Sequence, residues 1–197
     1  MKNSVAIFGG TFNPIHNAHI VIAEAALEQY DLGSVMFLPN AVPPHKECPD
    51  LADNEIRMEM VKSAISYNDN FFVSDYEMKN GGLSYTVDTL RHFKNIYDEI
   101  YFIIGGDSVR DFPKWYCPNE IATLCTLLVF PREGLDLKKH MDNVRDLFGA
   151  KVYEISSPQI DISSSDIRRC IKIGEDVSDF LPSGVWNIIK ENKLYEK

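Results

Sequence analysis

The sequence predicts an α/β fold, a doubly wound and mostly parallel sheet followed by a small helical C-terminal part. Short apolar, β-rich runs alternate with longer amphipathic segments along most of the chain, as strands alternate with crossover helices. Two of these runs end in paired glycines, Gly9-Gly10 and Gly105-Gly106, where a parallel sheet opens its ligand crevice. No linker, internal repeat or low-complexity tract divides the 197 residues. One domain over 1–197 is therefore expected, with its helical part at about 160–197.

The elements follow in order. SVAIF (4–8) is a buried strand, with a helix after it through about 20–30. SVMFLP (34–39) repeats the strand pattern, and AVPPHKECPDLADN (41–54) is the main irregular segment, biased towards extended backbone by its two prolines. NEIRMEMVKSAISY sets Ile56, Met60, Ile65 and Tyr67 among charged residues, which reads as a helix. FFVSDY is a third strand and TVDTLRHFKNIY a third helix. EIYFIIGGD is the strongest strand; CTLLVFPR, LKKHMDNVRDLF and KVYEI continue the alternation. ISSSDIRRCIKIG and PSGVWNIIKENKLY read as two closing helices.

Composition narrows the function. A hydrophobic content of 45% suits one good-sized core. The net charge of -9 argues against a general nucleic-acid binder, which would need a broad basic patch. Cys48, Cys117, Cys125 and Cys170 are scattered without zinc-type pairing, as reduced thiols in a cytoplasmic protein would be. The apolar run of MKNSVAIFGG is too short for a signal peptide, and no stretch is long enough to span a bilayer, so no membrane partner is expected.

The chemistry concentrates at strand ends. Gly9, Gly10 and Thr11 lie between the first strand and the first helix, whose free N–H groups and dipole favour an anion. The stretch is neither a Walker A loop nor G-x-G-x-x-G, and the dipeptide alone reads equally as a tight turn. His16 and His19 are three apart, without the spacing or the glutamate of H-E-x-x-H, and beside the glycines they could donate to phosphate oxygens. In ISSSDIRR, Ser163 or Ser164 is a natural N-cap, with Arg168 about one turn along, within reach of an anion held there. Taken alone, that segment reads as capping with a solvated arginine. Asp107 follows Gly105-Gly106, suited to a ribose hydroxyl, to Mg²⁺ or to capping the next helix. Lys46 sits in the irregular loop, and Trp115 and Tyr116 are candidates to stack on a flat ring or to pack in the core.

Together these pieces resemble the nucleotidyltransferases that carry a T/H-x-x-H motif. GGTFNPIHNAH is similar to their G-G-T/S-F-D-P-x-H-x-G-H, and ISSSDIR to their I-S-S-T/S-x-I-R. Within that group PPHK (43–46), SYTVDTL (84–90), GGDS (105–108) and WY (115–116) resemble blocks of the bacterial nicotinate-nucleotide adenylyltransferases, in order over nearly the whole chain. The resemblance implies a Rossmann-like domain that converts ATP and nicotinate mononucleotide to deamido-NAD and pyrophosphate with Mg²⁺. It implies small-molecule partners only and is compatible with a homo-oligomer.

Residue by residue, the resemblance implies His16, His19, Lys46 and Arg168 as catalytic groups. ATP would meet Gly9, Gly10, Thr11, Phe12, Ala18, Gly105, Asp107, Ile162, Ser163 and Ser164. Nicotinate mononucleotide would meet Lys46, Ser84, Tyr85, Thr86, Trp115 and Tyr116. No dedicated protein metal site is implied. Asn13 stands where the family carries aspartate, and Ala18 where it carries glycine; neither change removes a catalytic donor. The rivals are a sibling such as pantetheine-phosphate adenylyltransferase, a nucleotide-binding module without activity, and a zinc protein built on H-x-x-H.

Overall fold

The structure, a computed structural model, describes residues 3–41, 50–82, 84–132, 134–158 and 162–196. Six strands form one wholly parallel sheet in the order β3-β2-β1-β4-β5-β6. They are β1 (Ser4–Gly10), β2 (Val35–Pro39), β3 (Phe71–Val73), β4 (Glu99–Gly105), β5 (Thr126–Phe130) and β6 (Val152–Glu154). Phe8 of β1 is in register with Phe37 of β2 and with Ile103 of β4. The central strands read as continuous apolar runs because helices cover both faces.

Alternate residues along each strand feed two cores. Ala6, Phe8, Val35, Phe37 and Ile103 face one cluster with α1 (Asn17–Gln29), α2 (Asn54–Ile65), α8 (Ser164–Lys172) and α9 (Val185–Glu191). Val5, Ile7, Met36, Leu38, Phe102 and Ile104 face the other, with α4 (Thr86–Lys94), α5 (Gly106–Asp111), α6 (Pro118–Leu124) and α7 (Leu137–Phe148). The two closing helices thus share a core with the sheet. Ile167 of α8 is fully buried there, and its truncation to alanine would cost about 2–5 kcal/mol.

The four helices and six strands read along the sheet-forming part are present, and so are the two closing helices. Short elements went unread: α3 (Tyr76–Asn80), α5, α6 and the 3₁₀ turn Phe112–Lys114. Each is seven residues or fewer, too short to display a helical repeat. Helix α1 begins at Asn17, several residues earlier than hydrophobicity alone suggests, because His16 in extended conformation caps it. Helix α2 stops at Ile65, so Tyr67 lies beyond it on the surface and donates to Glu24. Cys117, Cys125 and Cys170 are free thiols. No helix among the described residues is long and apolar enough to cross a membrane.

Candidate active site

The chain leaves β1 towards β2 and leaves β4 towards β5, so the connections diverge between two adjacent parallel strands. The carboxyl ends of β1 and β4 therefore flank a topological switch point, the crevice where open α/β sheets bind ligands. Gly9-Gly10-Thr11 and Gly105-Gly106 lie there.

Packing explains the glycines. A Cβ on Gly10 would meet the Phe12 ring at 3.1 Å, and one on Gly105 would meet the Phe130 ring at 3.0 Å. Both distances require a neighbour to shift. Phe12, only 2% exposed, holds a left-handed φ of 47°, unfavourable for a residue with a side chain and common at functional loops. Its ring meets His19 edge-on, with centroids 5.1 Å apart.

The histidines are a cap residue and its first-turn neighbour. His16 N–H donates to His19 Nδ1 at 3.2 Å, and the two ring centroids are 3.8 Å apart. His19 Nδ1 is occupied as an acceptor, so the neutral ring carries its proton on Nε2 and can donate outward. Burial, with the nearby Arg132 charge, brings the His16 pKa down to about 4. Burial first, then His16 and Arg132, hold His19 well below the ordinary imidazole range. At neutral pH both rings are uncharged donors. His16 Nδ1 is buried and has no hydrogen-bond partner among the described residues.

Helix α8 closes one side. Ser163 is its N-cap, accepting from Asp166 N–H at 3.1 Å. Ser164 Oγ donates to the Pro14 carbonyl at 2.9 Å, and Arg168 Nη1 donates to the Asn13 carbonyl at 2.8 Å. Both side chains thus brace the β1–α1 loop, while Arg168 Nε is buried and without a partner among the described residues. Ile162, just before the cap, is half-buried against the first core. Ala18 is half-buried in the first turn of α1.

Across the crevice, Asp107 is exposed in the first turn of α5. It lies 3.4 Å from Arg110 and 3.9 Å from Arg132; Gly105, not Asp107, occupies the cap position. Phe102 links the two halves. A Cβ at Gly9 would touch its ring, and Trp115 packs edge-on against it at 6.4 Å. Trp115 is half-buried, whereas Tyr116 and Tyr85 are exposed with ring centroids 4.9 Å apart. Thr86 opens α4. Below it Glu77 accepts from Thr89 Oγ1 at 2.6 Å and bonds the Ser84 hydroxyl; burial pushes its carboxyl up. Ser84, Tyr85 and Glu77 line a small hollow of about 140 Å³.

The sequence-predicted residues therefore occupy one end of the sheet, except Lys46, which lies outside the described residues. A larger cleft of about 560 Å³, lined by Tyr30, Lys94, Tyr101 and Lys151 among others, opens at the amino ends of β4–β6. It shares no residue with the glycine loops or the histidines.

Sequence reasoning missed Arg132, Arg57 and Tyr195. Arg132 was legible, as a basic residue two positions past a strand that ends at the same edge as Gly105. Arg57 looked like one more solvated charge on α2 but is fully buried.

Comparison with known proteins agrees with this geometry. The sequence profile described as cytidylyltransferase-like matches residues 7–170. A curated protein of Clostridium acetobutylicum is 42% identical over 195 residues, covering 96% of this chain and 98% of its own. One from Caldicellulosiruptor bescii is 40% identical over 195 residues, covering 98% and 99%. Both carry the name "Probable nicotinate-nucleotide adenylyltransferase". Among solved structures, the Plasmodium falciparum nicotinic acid mononucleotide adenylyltransferase complexed with NaAD superposes with a TM-score of 0.80 at 20% identity, covering 98% of this chain and 97% of that one. The same enzyme complexed with APC gives 0.79 at the same identity and coverage. The chain belongs to the cytidylyltransferase-like family, and within it to the nicotinate-nucleotide adenylyltransferases.

Proposed function

We propose that this protein transfers the adenylyl group of ATP to nicotinate mononucleotide, forming deamido-NAD and releasing pyrophosphate. The observation that carries the phosphate chemistry is the pair of uncharged imidazoles, His16 and His19, at the β1–β4 switch point beside Arg132 and Arg168. The relatives' names supply the two substrates.

The nucleophile is a phosphate oxygen of the mononucleotide, already ionised at neutral pH. It forms a bond to the α-phosphorus of ATP as the bond to the pyrophosphate oxygen breaks; no proton need be removed. The barrier is repulsion between anions, so catalysis lies in positioning and in donors aimed at the growing charge. Neutral His19 offers Nε2–H without raising the cost of an empty site, as a buried imidazolium would. His16, Arg168, Ser164, Lys46 and the Gly9–Phe12 backbone complete the phosphate half, with Ser163 and Ile162 behind them and Ala18 beside them. Gly105 at the end of β4 and Asp107 at the start of α5 face the nucleotide. On the other half Trp115 takes the pyridine ring. Thr86 and the main chain near Ser84, Tyr85 and Tyr116 meet its carboxylate.

Mg²⁺ would enter with the triphosphate, supplying charge neutralisation. One carboxylate among imidazoles and guanidinium groups suits an ion carried on phosphate that keeps most of its waters. Asp107 would be the carboxylate that meets the hydrated ion. Such an enzyme works in the cytoplasm on small molecules.

The test is pyrophosphate release from ATP with nicotinate mononucleotide, nicotinamide mononucleotide and phosphopantetheine in parallel. Turnover is expected with the first and at least about 10²-fold less with the amide, because donors built for a carboxylate are left poorly matched. Preference for phosphopantetheine, or ATP binding without any turnover, would overturn the assignment.

A further inference from the structure

Arg57 is an unusual arginine. It sits in the second turn of α2, yet its side chain is fully buried. Its Nε donates to the Ala52 carbonyl at 3.2 Å and its Nη1 to the Thr11 carbonyl at 2.7 Å. Its Nη2 donates to the Asn40 and Ala41 carbonyls at 2.8 and 3.3 Å and to Asn54 Oδ1 at 2.6 Å. One planar fork therefore ties together the turn after β1, the exit of β2 and the entry to α2. A lysine, with a single nitrogen, could not reach all three.

The bond to Thr11 matters most. The Thr11–Phe12 peptide is trans, so its C=O and N–H point in opposite directions. Drawing the Thr11 carbonyl inward to the guanidinium turns the Phe12 N–H the opposite way, away from Arg57. That N–H has no partner among the described residues. The peptide is held this way although Phe12 must adopt a left-handed φ of 47°. Asn40 supports the same turn from β2, its N–H donating to the Gly10 carbonyl at 3.0 Å and its Nδ2 to Thr11 Oγ1 at 3.4 Å.

We infer that Arg57 is a positioning residue for the reaction: its guanidinium locks the Thr11 carbonyl inward so that the Phe12 N–H stands ready to donate to the nucleotide's phosphate. It touches no substrate. The proposal deepens the phosphate assignment of this loop and rests on it.

Calorimetric ATP binding with Mg²⁺ and no mononucleotide tests it, alongside steady-state kinetics. Arg57→Lys keeps the charge and loses the fork. For the folded variant, kcat/KM for ATP and ATP affinity should each fall about 10- to 100-fold, the scale of misplacing a donor. KM for nicotinate mononucleotide should stay within about 2-fold, because that half of the site is built on α4 and Trp115. A purely structural role would lower Tm and leave both ATP readings at parental values per folded molecule; that outcome overturns the proposal. Should Arg57→Lys fail to fold, Asn54→Ala decides. It removes one exposed anchor of the fork and is expected to weaken ATP about 3-fold, and unchanged affinity overturns the proposal. A parental protein that does not bind ATP would instead overturn the phosphate assignment itself, and Arg57's role with it.

Discussion

The Tyr195 hydroxyl donates to Asn13 Oδ1 at 2.6 Å, joining positions 182 apart in the sequence. The same Oδ1 accepts from Ala52 N–H at 3.1 Å, and Asn13 Nδ2 donates to the Asp50 carbonyl at 2.9 Å. Asn13 is only 1% exposed. An amide both accepts and donates, whereas an ionised carboxylate could only accept and would face the Asp50 carbonyl without a proton to offer. This gives a physical use for the asparagine that departs from the family pattern.

Tyr195→Phe removes one bond and leaves Ala52 to serve Asn13 Oδ1, so a loss of about 1 kcal/mol is expected. Asn13→Ala removes the acceptor of the buried Ala52 N–H and of the Tyr195 hydroxyl, and the donor to the Asp50 carbonyl, and should cost about 2–4 kcal/mol. Urea unfolding of both singles and the double variant measures the coupling, which should differ from zero because the residues share a bond.

Stability should fall on acidification through the histidine range. His16 has its pKa lowered from 6.5 to about 4 in the fold, so between those values the unfolded chain binds the proton and the folded one does not. Stability therefore rises with pH across that window and is lost as pH drops from about 6.5 towards 4. The full effect for His16 is on the order of 3 kcal/mol. Thermal melts at pH 7 and pH 5 should show a smaller acid loss in His16→Gln than in the parent; equal losses would contradict the burial of a neutral imidazole.

His19→Ala removes the donor that the His16 backbone fixes in one tautomer. Turnover should fall about 10²- to 10³-fold, the usual scale for one lost transition-state donor, with circular dichroism unchanged. A folded variant with near-parental kcat would take His19 out of the chemistry.

Arg132 is a positive charge that depresses both imidazoles, so Arg132→Ala should raise both their pKa values, seen as upward-shifted histidine resonances in an NMR titration. ATP affinity should weaken about 10-fold if the guanidinium also meets phosphate. A pKa change without an affinity change would confine Arg132 to tuning the histidines.

The strand pattern, the glycine turns and the cap at Ser163 were legible because each follows local rules of periodicity and capping. What the local rules could not show was the use of charge inside the fold. Arg57 lies among Glu55, Glu59 and Lys62 on a helix whose sequence reads as ordinary surface, and only three converging loops reveal it as buried. Arg168 and Ser164 were legible as neighbours of an anion site, but not as braces for the Asn13 and Pro14 carbonyls. Asn13 was visible as a departure and lacked an explanation until Tyr195 arrived from the far end of the chain.

Apart from Gly105 and Asp107, which belong to the nucleotide half but lie at β4 and α5, the sheet separates the two halves of the proposed reaction by layer. The phosphate-handling loop and α8 stand on the core containing Phe8, Phe12 and Ile167, while Thr86 and Trp115 stand on the core containing Val87, Phe102 and Phe112. Mutations accumulating in the second layer can reshape the acceptor pocket while the ATP side keeps its packing. A lineage built on this scaffold could exchange one acceptor for another by drift on a single face, inheriting the nucleotide machinery intact.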